Sequence, residues 1–322
     1  MPKTTQITAR SSDPPPVSKP RQPLNLFAFG VMLLLCLIWG FQQIAIKAVA
    51  TDIAPVLQLA IRFGIAGSVF GALSIRREGF GLLTDGTLLP GCIVGIFFGV
   101  EFLLVAEALR FTTAAHTVVF LYTAPVFAAL GLVFVPEERI KNAQWSGIIV
   151  AFIGIAVAFL SHTDSQRHLA LLGDALALLS GLCWGLGAII LRRSALANAS
   201  PLKTSFYQLL IAGVILGGFT FFNREATVHF TPIAIASLLF QTIVVAFMSY
   251  LTWFWLLTKY LASRLMLLSL MTPLFGVIFG HTLLGDPVNS HFAVGTSLVL
   301  GGIALVNGVE FIGPLRRWVK RR

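Results

Sequence analysis

The sequence predicts an all-α membrane protein of ten transmembrane helices, arranged as two inverted five-helix repeats with both termini on the cytoplasmic side. Three observations predict it. Of 322 residues, 57% are hydrophobic and only 11% charged, with a mean hydropathy of +0.87, whereas a water-exposed surface needs about a quarter of residues charged. The apolar residues gather into ten runs, each near the ~20 residues a helix needs to cross the hydrocarbon core. The second half also repeats the first at an offset that drifts only from 145 to 148 positions.

Residues 1–25 are polar and proline-rich, with Pro14-Pro15-Pro16 and no apolar core, and read as a disordered tail rather than a cleaved signal peptide. The spans follow at 26–49, 55–75, 88–110, 113–135 and 142–161 for the first repeat (26–161), then at 172–191, 202–222, 231–258, 262–284 and 290–311 for the second (172–311). Residues 312–322 form a basic tail, R-R-W-V-K-R-R, suited to anionic headgroups. All but five of the 23 Lys and Arg residues fall in alternate connections or tails; the exceptions are Lys47, Arg110, Arg167, Arg224 and, within a span, Arg62. Positive charge is retained on the cytoplasmic side, so both termini are placed there.

The fourth span carries Pro125 in the middle of its apolar run, and Pro273 stands 148 positions later in the ninth. Each proline removes one backbone donor and clashes with the carbonyl four residues back, so a kink is expected in both helices. Broken helices at matching places in two halves point to a binding site near the membrane midplane, with the prolines as hinges. Further matches tie the halves together. L-I-W-G at 37–40 answers L-C-W-G at 182–185, Ala54-Pro55 answers Ser200-Pro201, and Gly147 and Gly154 answer Gly295 and Gly302. With five helices per unit the second copy enters the membrane upside down, which gives an inverted repeat.

Charge and cysteine use exclude other classes. The net charge of +10 forms no basic patch or motif of a nucleic-acid binder, and its members sit at the ends of apolar runs. Cys36, Cys92 and Cys183 lie in apolar segments without metal-ligand spacing and read as small packing residues. The six histidines make no metal-site pattern and no nucleophile motif is present, so neither an enzyme nor a bound cofactor is expected. No charge ring or carbonyl-filter signature suggests a channel.

Ten spans, W-G in the first helix of each half, A-P or S-P opening the second, a charged or polar residue seven positions later, and T-A-P or M-T-P in the fourth resemble the drug/metabolite transporter superfamily, specifically its EamA-type permeases. The likeness covers residues 26–311, and amino-acid exporters of the YddG kind are similar members. The resemblance implies a basket of helices around a central cavity in the bacterial inner membrane. It implies export of small metabolites by alternating access, with amino acids, including aromatic ones, as the leading substrate class, and organic-phosphate, nucleotide-sugar or multidrug transport as the alternative.

Ionisable residues deep in a span are costly and are functional candidates by default. Arg62 lies seven residues into the second span and Glu101 about nine from the outer end of the third, about 10–14 Å deep at 1.5 Å per residue. Two readings stand side by side. The pair forms a structural ion pair, or Glu101 takes an amino group or a coupling proton while Arg62 takes a carboxylate. Trp39 shares a helical face with Gln42 and Gln43, which lipid cannot satisfy, so all three are expected to face the interior. Trp184 is the repeat partner of Trp39. Tyr122, Tyr250 and Trp253 complete the substrate-site candidates. His116 reads more simply as a satisfied structural histidine than as a proton relay, Lys47 as a residue reaching outward to the interface, and Glu107 with Arg110 as a helix-end pair. Small-residue ridges, Gly91/Gly95/Gly99, Gly67/Gly71, Gly181/Gly185, Gly213/Gly217 and Gly276/Gly280, mark helix seams. A monomer or weak homodimer in the lipid bilayer is the expected state.

Overall fold

The computed structural model describes residues 25–79, 84–132, 142–160, 167–224, 228–260, 265 and 268–319. These are almost wholly helical, and the one β contact among them is an isolated bridge between Ile53 and Val228. The first half holds α1 (Leu26–Ala48), α2 (Pro55–Glu78), α3 (Leu88–Phe111), α4 (Ala114–Leu121), α5 (Ala124–Leu132) and α6 (Asn142–Phe159). The second holds α7 (Arg167–Arg193), α8 (Pro201–Phe222), α9 (Pro232–Leu239), a π-helical stretch (Phe240–Ser249), α10 (Tyr250–Lys259), α11 (Met271–Leu284) and α12 (Ser290–Val319). Among the described residues, seven helical segments are long and apolar enough to cross a membrane; Gln144–Ala158, Met271–Leu284 and Ser290–Val306 are shorter and apolar. Glu138 and the Trp318 side chain fall outside the described residues.

Local sequence sets where the helices begin. Asn25 Oδ1 accepts from the Ala28 amide at 2.8 Å to open α1. The X-Pro pairs at Pro55 and Pro201 open helices as expected, and Pro232 does the same: they stand in the first turns of α2, α8 and α9, with Ser200 and Thr231 capping the last two. Proline fits there because its missing N–H would have no helical partner, and the cap oxygen satisfies one that remains.

Pro125 does more than kink its helix. The fourth span parts into α4 and α5 through Tyr122 and Thr123, where the Thr123 amide and hydroxyl both donate to the Phe120 carbonyl, at 3.1 and 2.6 Å. The segment passes from α4 to α5 because Pro125 cannot donate to Leu121. Gly181 of α7 then packs directly on the exposed backbone: a Cβ there would lie 2.9 Å from both the Leu121 and Phe120 oxygens. In the second half, Gly40 of α1 makes the equivalent approach beside Pro273, with a virtual Cβ 3.0 Å from the Thr272 oxygen.

Other glycine seams are reciprocal. Gly67 of α2 sits 2.6 Å from the Leu210 nitrogen of α8 by the same construction, and Gly213 of α8 sits 2.8 Å from the Gly64 nitrogen of α2. Gly147 faces the Gly302 oxygen and Gly302 the Gly147 oxygen across α6 and α12, while Gly154 and Gly295 bracket Val299 and Ala158 on the same seam. The α3 ridge Gly91, Gly95, Gly99 receives Tyr207, Ile211 and Ile215 of α8. Small residues permit such backbone approach where lipid leaves no hydrophobic drive between helices. One expected member fails: a Cβ on Gly217 would meet nothing within 4 Å, so that seam stops at Gly213.

Ile65, Val69, Ile93, Ile96, Leu172, Val214, Ile278 and Val294 are exposed on the outer faces. An apolar surface of this extent would drive association in water, and it suits contact with hydrocarbon. Trp145 and Trp255 are exposed, which suits aromatics at a membrane interface, with the Lys259 ammonium 4.5 Å from the Trp255 ring centroid.

Charged ties close one end of the bundle between the α2–α3 connection and the start of α8. The Lys203 ammonium, 1% exposed, donates to Asp85, which also accepts from the Thr87 hydroxyl at 2.6 Å. The hydrogen bond from Lys203, then that from Thr87, pulls the Asp85 carboxyl down to about 2. Because the folded value lies below the unfolded one, this tie stabilises fully above the ordinary carboxylate range and is lost as pH falls toward about 2. Acid titration of the purified protein should therefore show an unfolding limb between about pH 4 and 2 that is weaker in Asp85→Asn, whose midpoint at neutral pH is already lowered by the unpaired buried Lys203.

Candidate functional site

Six elements bring the predicted site residues together. Arg62 stands about a third of the way along α2, 1% exposed, with its guanidinium carbon 4.3 Å from the Phe63 ring centroid and 5.2 Å from that of Phe102. Both rings contribute cation–π attraction, but they do not satisfy its donors, and Nε and Nη1 have no hydrogen-bond partner. Glu101 of α3 is buried at 4% exposure, off the glycine ridge that faces α8. Among the described residues no ion pair joins Arg62 to Glu101. The guanidinium lies instead against one ring of its own helix, Phe63, and one of α3, Phe102. Tyr250, the first residue of α10, lies within electrostatic reach of both Arg62 and Glu101, and Glu101 is likewise near Tyr122 and Cys183.

Aromatic rings stand beside this charged centre in two edge-to-face pairs. Trp39 of α1 meets Trp253 of α10 with centroids 5.6 Å apart, and its indole Nε1 donates to the Ser249 hydroxyl at 2.9 Å. Trp184 of α7 meets Tyr122, at the break after α4, with centroids 5.3 Å apart. Both tryptophans come from the W-G motifs, whose glycines set α1 and α7 against the broken helices. Gln42 and Gln43 are buried as expected, at 7% and 2%, and the Gln43 Oε1 lacks a partner. Thr272, beside Pro273, is fully buried, next to Cys36 and Tyr122.

Unsatisfied buried donors and acceptors are rare in folded proteins, since each costs about 1–3 kcal/mol and more when charged. Here Arg62 on α2 carries two and Gln43 on α1 carries one. Gln241 donates to Gln58 Oε1 at 2.8 Å while its own Oε1 lacks a partner, and Gln58 in turn donates to the Ile46 and Ile53 carbonyls. That network is structural glue between α1, α2 and the π stretch.

Sequence reasoning missed Asp174. It is fully buried on α7, where it accepts from Thr112 Oγ1 at 2.6 Å and pairs with His116 Nδ1 at 2.9 Å. Its signal is an acidic residue inside L-L-G-D-A-L, two positions past the predicted start of a span. Lys203 was counted as a topology charge. Lys47 does not reach outward; its ammonium donates to the Thr112 carbonyl at the end of α3. Glu107 and Arg110 do form the expected exposed pair, at 3.1 Å.

The EamA-like transporter family model matches the chain twice, over residues 26–160 and 171–308. A "Probable amino-acid metabolite efflux pump" of Salmonella typhimurium is 27% identical over 283 residues, covering 84% of this chain and 91% of that protein. The transporter YoaV of Bacillus subtilis is 24% identical over 275 residues, covering 84% and 94% respectively. One solved crystal structure superposes with a TM-score of 0.60 at 19% identity over 86% of this chain and 95% of its own, a likeness that carries the fold alone. With two matches that together take in most of its length, the chain belongs to the EamA-like transporter family, within the drug/metabolite transporter superfamily.

Proposed function

We propose that this protein is a secondary transporter that exports amino acids, aromatic ones included, by alternating access across a bacterial inner membrane, with both termini cytoplasmic. The observation that carries the reading is the unpaired charge at the centre: a buried guanidinium with two unpartnered nitrogens and a separate buried carboxyl, linked through Tyr250. A zwitterion completes both, its carboxylate taking the planar fork of Arg62 and its ammonium Glu101. Trp39, Trp253, Tyr122 and Trp184 offer ring edges to an apolar or aromatic side chain. The names of the Salmonella relative and of its Escherichia coli counterpart, 26% identical, support the substrate class. A phosphate ester would call for several convergent cations, and Arg62 is the cation among the described site residues.

The chain comprises ten spans in two inverted units, residues 26–161 and 172–311, with tails at 1–25 and 312–322. Support comes from seven long and three shorter apolar helical segments, the reciprocal glycine seams and the double family match. Transport rocks these units around the site, and Pro125 and Pro273 are the hinges at which the fourth and ninth spans bend. Pro125→Ala and Pro273→Ala should express at native levels and lose at least half of their flux; unchanged flux in both would remove the hinge role.

The direct test is counterflow in proteoliposomes together with thermal-shift screening against amino acids, nucleobases and phosphate esters. Amino acids should raise the melting temperature and exchange across the membrane. Stabilisation by phosphate esters alone would replace this reading with the phosphate-exchanger one.

A further inference from the structure

At the end of the bundle where α3 passes into α4, a cleft of about 310 Å³ is lined by Lys47, Arg110, Thr112, Thr113, His116 and Asn289, among others. His116 is its buried wall, 2% exposed, and lies stacked on Phe292 at 4.0 Å with the rings 8° from parallel. Behind it stands the fully buried carboxylate of Asp174, 2.9 and 3.1 Å from His116 Nδ1. We propose that the His116–Asp174 pair is a proton-binding site, reached through this cleft, whose protonation clamps the corner between α3 and α4 onto α7 and so holds that end of the transporter shut.

The connections make one proton matter to several helices. Thr112, at the corner, donates to Asp174 from α7 and accepts Lys47 from α1 on its carbonyl. Gly173, next to Asp174, packs so close on the corner that a Cβ would lie 2.7 Å from the Thr112 nitrogen. Asp286, before α12, accepts from the Ala115 amide in the turn that carries His116, at 3.0 Å. The charged groups facing this junction are thus Asp174 from α7, Lys47 from α1, Arg110 with Glu107 from α3, and Asp286 from the α11–α12 connection; His168 and His291 are exposed nearby on α7 and α12. Histidine gains its charge within about pH 5–8. Neutral His116 donates a hydrogen bond to the Asp174 carboxylate, while the imidazolium adds a unit charge opposite that buried carboxylate and so strengthens the bond. The clamp therefore tightens as pH falls and loosens as it rises. It sits away from the Arg62–Glu101 centre and rests on the transport reading only for its meaning as a gate.

Ala170, on α7 at the cleft lining, offers a reporter that bears none of these bonds. In full-length Ala170→Cys protein in nanodiscs, maleimide labelling at that position, read by peptide mass spectrometry and normalised to glutathione at each pH, should slow about threefold or more between about pH 8 and pH 5.5. His116→Gln and Asp174→Asn, added singly, should abolish that dependence, since each keeps a hydrogen bond but removes the charge pair. A pH response equal in the parent and in either folded variant overturns the proposal. Should neither variant fold, the parent alone decides, because a normalised rate flat across the range overturns it equally. The readout needs no substrate, so failure of the amino-acid reading would leave this result distinct.

Discussion

Arg62→Met is expected to abolish amino-acid counterflow while leaving the unfolding temperature unchanged or raising it. The native guanidinium is 1% exposed, has two unpartnered nitrogens and is held mainly by the rings of Phe63 and Phe102. Methionine keeps the apolar stem against those rings and relieves an uncompensated buried charge, which should stabilise the empty protein by about 1–3 kcal/mol. Transport moves the opposite way. Losing a buried, charge-assisted partner costs a carboxylate ligand about 2–5 kcal/mol, roughly 30-fold or more in affinity. Opposite signs in the two measurements identify a ligand-binding residue. Retained counterflow would remove Arg62 from the site, and a large drop in stability would make it a structural residue. Glu101→Gln, measured alongside, should lose flux of amino acids while remaining folded, and flux with unaltered pH-gradient dependence would rule out Glu101 as a proton carrier.

The second large effect is expected at the glycines of the two W-G motifs. A methyl on Gly40 would stand 2.9 Å from the Phe275 Cβ and 3.0 Å from the Gly276 nitrogen and Thr272 oxygen; on Gly185 it would stand 2.8 Å from the Ala124 oxygen and 3.0 Å from the Ala128 nitrogen. Most of these neighbours are backbone on either side of Pro273 or Pro125, which cannot swing aside as a long side chain can. Gly40→Ala and Gly185→Ala should each destabilise by about 1–3 kcal/mol through overpacking. Gly217→Ala, where nothing lies within 4 Å, serves as the neutral control. Chemical or thermal unfolding of the three variants checks this, and equal midpoints for all three would show that the seams yield. Because the two motif glycines lie in separate seams, the double variant should show roughly the sum of their effects.

The matched prolines, W-G pairs and X-Pro openings were legible because each is a local backbone constraint. A missing donor or a missing Cβ acts wherever it stands. Arg62 and Glu101 were legible for a related reason: a charge twelve or so ångströms into hydrocarbon is expensive in any arrangement, so its presence alone calls for an account. The π-helical stretch at Phe240–Ser249 was not legible. Its apolar run suits α and π turns equally, and its polar members Gln241 and Ser249 bond Gln58 and Trp39 on neighbouring helices.

By itself the sequence determined the membrane class, the positions of the apolar segments, the family and the places where helices must break or approach closely. Composition, periodicity and proline or glycine chemistry act along the chain, and such constraints survive without knowledge of neighbours. Only the tertiary structure decided who meets whom. It set Arg62 over Phe63 and Phe102 rather than against Glu101, tied Lys47 to Thr112, and buried Asp174 behind His116. Partner choice for a buried polar group depends on side chains far apart in sequence, where a few ångströms of helix rotation separate a salt bridge from an unpaired charge.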